Sequence, residues 1–157
     1  MDDNKNAHIV ELLEQNELAL MRLYTNYAKL YPKYKKFWTK IAEDEAVHAK
    51  ILHDLRGHIT HRSLSVNSSK FNEQAIINSI KYLDDELIAL KEDPKNPLDA
   101  FTTASIIETS MLENNFFQVF EVLPKDLLES CMKLIKETEC HKIAVTRKAE
   151  ELSKKQS

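Results

Sequence analysis

The stretch Ile41-Ala42-Glu43-Asp44-Glu45-Ala46-Val47-His48-Ala49-Lys50 sets a glutamate and a histidine three residues apart inside an apolar seam. The seam runs Trp38, Ile41, Glu45, His48, Leu52, Leu55, in steps of three and four. That spacing predicts one face of an amphipathic helix, with Glu45 and His48 side by side on its buried side. No Gly or Pro interrupts it, so a helix is expected over about residues 33–56, with Pro32 before it and Gly57 as its stop.

Three more seams of the same kind lie around it. One reads Ile9, Leu13, Glu17, Leu20, Tyr24, Tyr27, Tyr31 and predicts a helix over about 6–31. Another reads Phe101, Ala104, Glu108, Met111, Asn115, Val119, Val122, over about 97–122, with Asn96 as cap and Pro97 in the first turn. The last reads Leu127, Cys131, Leu134, Thr138, His141, Val145, over about 125–152, followed by a frayed tail. A shorter helix is expected over about 72–91, with the stripe Ile76, Ile80, Leu83, Leu87, Leu90. No strand is expected. Short turns at Pro32 and Pro124 make antiparallel neighbours of the first two long helices and of the last two. The expectation is an all-α, antiparallel four-helix bundle in one domain, 1–157, with a long crossover carrying the extra short helix. The stripe of that helix can lie across its own bundle or against a second copy, and a homodimer is the favoured reading.

Each long seam is apolar except near its middle. Glu17 lies 15 residues before Pro32 and Glu45 lies 13 after it. Glu108 lies 16 before Pro124, and Thr138 and His141 lie 14 and 17 after it. At about 1.5 Å rise per residue, all stand ~20 Å along their helices, at one level. A buried carboxylate alone loses several kcal/mol of hydration, and three together repel one another. Bound cations remove both costs. Glu oxygens and neutral His nitrogens suit iron, manganese or zinc, and two divalent ions balance three carboxylates. Glu17, Glu45, His48, Glu108 and His141 are therefore candidate metal ligands. Glu137 precedes Thr138 but points about 100° away around the helix, so it reaches the layer only after local adjustment.

Length, composition and charge narrow the rest. The 157 residues carry one Gly, four Pro and a net charge of -3, with acids and bases interspersed. No basic surplus suggests nucleic acid or a membrane surface. No apolar run approaches the ~20 residues of a membrane span, and no secretory signal opens the sequence. Cys131 and Cys140 have no metal-ligand or redox spacing, which points to a cytoplasmic setting. His53, His58 and His61 read as solvated, and Tyr27, Tyr31, Trp38, Phe116 and Phe117 as packing.

Glu17-Leu18-Ala19-Leu20-Met21-Arg22-Leu23-Tyr24 resembles the first helix of rubrerythrins and ferritins. The stretch from Ile41 to Lys50 is similar to the second-helix motif of rubrerythrins, Glu-x-x-His followed by Ala-Lys. Ala104-Ser105-Ile106-Ile107-Glu108 followed by Phe116 and Phe117 resembles the third ligand helix. The resemblance spans the chain apart from the insertion at 58–96. It implies a ferritin-like bundle with a carboxylate-bridged di-iron site, Glu17, Glu45, His48 and Glu108 being ligands and Glu45 the bridge. It also implies oxidation of ferrous iron by oxygen or peroxide, in iron handling or protection against oxidants. From the residues themselves, Tyr24 lies two turns from Glu17 on the same face, with core packing as the favoured reading and a hydrogen bond to a ligand or a redox relay as the alternatives. The chain departs from the family at Thr138, where a Glu is usual, and at Met111, where another carboxylate would fall. It also lacks a four-Cys rubredoxin module, so peroxidase turnover would need an external electron donor. These departures leave a second expectation, a non-enzymatic bundle that sequesters metal or binds partners.

Overall fold

The helical elements follow from the punctuation just described. In the computed structural model, which describes residues 3–60, 65–67, 69, 71–122 and 125–156, five helices carry the chain. They are α1 (Asp3–Leu30), α2 (Lys35–Thr60), α3 (Glu73–Glu92), α4 (Pro97–Glu113) and α5 (Lys125–Gln156). A 3₁₀ turn, Pro32–Tyr34, joins α1 to α2. Asn72 caps α3 by accepting from the Ala75 amide, and Asn96 caps α4 by accepting from the Asp99 amide, with Pro97 in the first turn. Each cap satisfies an amide that the helix itself leaves free.

Side-chain contacts fix the directions. Tyr24 and Tyr27 pack tilted against Trp38 while Glu14 meets His53 and Arg56, so α1 and α2 are antiparallel. Ser105 bonds Thr146 and Glu108 faces His141, so α4 and α5 are antiparallel. Tyr24 reaches Glu108 and Asn16 reaches Met111, which sets α4 antiparallel to α1. Asp44 meets His141 and His48 meets Glu137, which sets α5 antiparallel to α2. The helices thus follow one another as α1, α2, α5, α4 around a shared core. The crossover helix α3 runs parallel to α1, from His8–Glu73 at one end to Arg22–Asp84 further along. It returns the chain to the level where α4 begins.

The seams face inward as their spacing predicts. Among their residues Leu13, Leu20, Trp38, Leu52, Leu55, Phe101, Leu134 and Val145 are buried. Each such side chain contributes about 1.5–3 kcal/mol of hydrophobic stabilisation. The α3 stripe is buried in the same chain through Ile76, Leu83 and Leu90. It therefore gives no ground for the expected dimer. Among the described residues no helix is long and apolar enough to cross a membrane.

Four expectations need correction. The second helix runs through Gly57 to Thr60, because one helical Gly costs only about 1 kcal/mol and Gly57 keeps a negative φ. The last helix continues to Gln156 with no frayed tail before it. The fourth helix stops at Glu113, not near 122. Asn115 takes φ 53°, the left-handed region that Asn tolerates. Its amide bonds Leu112 O and the Phe116 amide bonds Met111 O, the paired bonds of a Schellman stop. Asn115 is consequently exposed rather than part of the seam. Beyond it Phe120–Val122 forms a short antiparallel ribbon with Ser65–Val66, where no strand is expected from the sequence. His61 and Pro124 lie outside the described residues.

Candidate metal centre

The four helices deliver their polar seam residues to one buried layer. Glu17 and Glu108 are 0 % exposed, Glu45 1 %, His48 0 %, Thr138 1 % and His141 5 %. Two triads of ligand atoms result, Glu17–Glu45–His48 and Glu45–Glu108–His141, each with its atoms within 4.8 Å of one another. Glu45 belongs to both. All five candidate ligands come together as expected from their heights.

The layer is short of hydrogen-bond partners. Both carboxylate oxygens of Glu17, Oε1 of Glu45, Oε2 of Glu108 and Nδ1 of His141 are buried without one. His141 Nδ1 lies 2.8 Å from Glu45 Oε1, close but without hydrogen-bond geometry. Buried polar atoms are nearly always satisfied, so five unsatisfied atoms spread over the two triads mark positions that fit cations. Burial chiefly, then the neighbouring Glu45, holds the Glu17 and Glu108 carboxyls well above the usual carboxylate range. Burial pushes Glu45 up to about 7, although its contact with Glu17 opposes this.

The histidines are held from outside. His48 presents Nδ1 to Glu45 Oε2 at 3.3 Å and to Glu17 Oε1 at 4.0 Å. Its Nε2 donates to Glu137 Oε1 at 2.8 Å. His141 presents Nδ1 to Glu45 and, at 3.8 Å, to Glu108, while Nε2 donates to Asp44 Oδ2 at 3.0 Å. Each ring thus has one nitrogen fixed by an outer acid and the other turned inward, the arrangement that orients metal-binding imidazoles. The acids cross over, Asp44 of α2 holding the α5 histidine and Glu137 of α5 holding the α2 histidine. Burial opposes ionisation of Asp44, but bonds from Lys40 and His141 hold it below the ordinary carboxyl range.

Glu137 therefore comes to the layer, but at its rim and on His48. Asp44 lies off the apolar seam, so seam spacing alone does not mark it. Its signal is a repeat: Lys40, Asp44 and His48 match Lys133, Glu137 and His141 at identical spacing. The lysines complete the match, Lys40 Nζ lying 2.5 Å from Asp44 and Lys133 Nζ 3.9 Å from Glu137.

The departures are also explained locally. Thr138 turns its hydroxyl back to Leu134 O at 2.8 Å, a bond within its own helix. Met111 is buried and its Sδ accepts from Asn16 Nδ2 at 3.7 Å, so that side of the layer is closed by neutral groups. Tyr24 donates to Glu108 Oε1 at 2.8 Å, which turns Oε2 inward. Burial, then Glu108, raises the Tyr24 phenol well above its ordinary value. Away from the layer, His53 faces Glu14 at 3.5 Å on the surface. Cys131 is buried, which pushes its thiol to about 11, and Cys140 is exposed.

In comparisons with protein-family models, curated proteins and solved structures, nothing matches this chain.

Proposed function

We propose that the chain is a ferritin-like four-helix bundle of the rubrerythrin type, which holds a pair of divalent metal ions and oxidises ferrous iron with peroxide or oxygen. The observation that carries this reading is the ring of unsatisfied buried oxygens around Glu45, the one acid common to both triads. Three carboxylates and two imidazoles suit iron first, with manganese or zinc as alternatives. A bound ferrous pair supplies the two electrons that cleavage of a peroxide O–O bond consumes.

The protein's own groups do the rest. Glu45 belongs to both triads, so it would be shared by the two metal positions. His48 and His141 offer Nδ1 because Glu137 and Asp44 hold Nε2. Tyr24 holds Glu108 by one oxygen and leaves the other for the layer. Leu13, Leu20, Leu52 and Leu134, all buried, keep bulk water out. The role that fits is iron handling or protection against oxidants, with reducing equivalents arriving from outside the chain.

The test is to strip and reload the protein with ferrous iron, then add peroxide. About two irons per chain and fast oxidation are expected, in keeping with dinuclear bundle sites. Equal metal content in wild type and Glu45→Ala would overturn the reading. The second reading, a non-enzymatic bundle that sequesters metal, is favoured by Thr138 bonding its own helix and by neutral Met111. It predicts bound metal without peroxide-driven oxidation.

A further inference from the structure

Met111 stands on the buried face of α4, three residues beyond Glu108. That spacing sets the two side chains on one side of the helix, a turn apart. The Met111 thioether meets the amide of Asn16, whose Nδ2 donates to Sδ at 3.7 Å. Asn16 is also buried and directly precedes Glu17 on α1. Its orientation is fixed from the far side, because Ser79 Oγ of α3 donates to Asn16 Oδ1 at 2.6 Å. A held, buried N–H is thus aimed at a sulfur atom.

The pairing is a poor one as it stands. A thioether is a weak acceptor, so the Asn16 amide gives up water for little in return. A Leu at 111 would fill similar space, and packing alone does not call for Asn16 beside it. What sets Met apart is that peroxide converts its sulfur to a sulfoxide, a polar group whose oxygen accepts hydrogen bonds well. The outer side of the pair also faces a way in. Between α3 and α4 lies a groove of about 340 Å³ whose lining includes Asn78, Ser79, Ser110 and Asn114. Ser79 on its wall bonds Asn16, and Asn16 bonds Met111. Hydroxyls and amides suit hydrogen peroxide, which both donates and accepts hydrogen bonds.

We propose that Met111 is a site of oxidative self-modification, converted by hydrogen peroxide to methionine sulfoxide with the new oxygen held by the Asn16 amide. The inference rests on the reading of the layer as a centre that reacts with peroxide. The Met111 sulfur gives a lone pair to one peroxide oxygen, and the O–O bond breaks. The departing hydroxide takes the proton of the transferred oxygen, so thioether and hydrogen peroxide become sulfoxide and water. Sulfur loses two electrons and the two peroxide oxygens gain them. Asn16 Nδ2 then donates to oxygen in place of sulfur. The step consumes peroxide without drawing electrons from iron, and it makes a neutral wall of the layer polar. An outside reductant is needed to restore the thioether.

The test treats the full chain with excess hydrogen peroxide, once metal-free and once loaded with ferrous iron. Peptide mass spectrometry reads the added oxygen at each methionine while absorbance follows the iron. Met132, which is 60 % exposed, serves as the internal reference. Peroxide gathered at the layer should make Met111 oxidise at least about tenfold faster in the loaded chain than in the metal-free one, with Met132 unchanged. Iron that oxidises while Met111 stays unmodified, or gains no rate, overturns the proposal and leaves the reading of the centre standing. A rise at Met111 and Met132 together also overturns it, because iron in solution would produce that. Iron that stays ferrous sinks the reading of the centre and the proposal with it. Asn16→Leu keeps the volume and removes the amide, and it should lower the Met111 sulfoxide yield severalfold with Met132 unchanged. An equal yield in that variant overturns the part assigned to Asn16.

Discussion

Residues 40–48 of α2 and 133–141 of α5 carry the same frame, a lysine, an acid four residues on, and a histidine four beyond that. Both acids hold the opposite histidine, and both lysines sit on the acids from outside. The segments part at the residue after the acid, Glu45 in one and Thr138 in the other. Glu45 reaches the centre and serves two triads, whereas Thr138 bonds its own backbone. The outer support is thus duplicated but the inner acid is not, and the triad that contains His141 takes one of its acids from α2.

The sharpest way to break this comparison is to remove the shared acid. Glu45→Ala should abolish both metal positions, a loss above a thousandfold or about 4 kcal/mol in affinity. Glu108→Ala should remove only the second position. Metal content by mass spectrometry after gel filtration separates the two outcomes, and equal retention in both would refute the sharing.

Next in size is the cost of the layer without metal. Glu17, Glu45 and Glu108 all bind protons more tightly in the fold than an ordinary carboxyl does. The folded chain therefore keeps protons that the unfolded chain releases. The stability this confers is whole below about pH 4.5 and is lost as pH rises through about 7, the value to which Glu45 is pushed. For Glu45 alone the loss is about 3 kcal/mol. The metal-free protein should melt about 6–12 °C lower at pH 8 than at pH 5, and Glu45→Leu should recover much of that at pH 8. A melting temperature that rises over this range, or a large loss of metal-free stability in Glu45→Leu, would contradict the account.

The two outer acids should be nearly interchangeable in effect. Asp44→Asn and Glu137→Gln are each expected to weaken metal binding 10- to 100-fold, about 1.4–2.7 kcal/mol, by loosening one imidazole. Titration calorimetry reads this directly. A fall in one variant only would show that the repeat is not functional on both sides.

The smallest effect is the repair. Thr138→Glu supplies the missing inner acid and should raise affinity at the second position on the order of tenfold, about 1.4 kcal/mol. Unchanged affinity would mean that the Thr138 direction does not face the metal.

Helix identity and the height of the layer were legible in the sequence because both follow from period and rise. Ile41, Glu45 and His48 share one face by spacing, their seam neighbours Trp38, Leu52 and Leu55 mark that face as buried, and counting from Pro32 locates the layer. The stop of α4 was not legible, because Asn115 is compatible with a helix and only the Schellman bonds fix its left-handed backbone. The angle between Glu137 and Thr138 follows from helical period. Period gives a direction, however, and not what stands there, and what stands there is His48 Nε2 at the rim. Asp44 lies off the seam, so seam spacing does not mark it. The unpartnered Trp38 N–H is a fact of packing that no sequence pattern carries.

The membership of the two triads has a consequence for how the chain assembles. Glu17, Glu45 and His48 all belong to the first helical hairpin, so that triad can close before the rest of the molecule docks. The second triad joins Glu45 to His141, 96 residues away, and closes only across hairpins. On the proposed reading, a first ion would nucleate a local unit and a second would staple distant chain segments. The second ion then cancels the larger loop-closure entropy, so its departure loosens the whole tertiary structure while departure of the first does not.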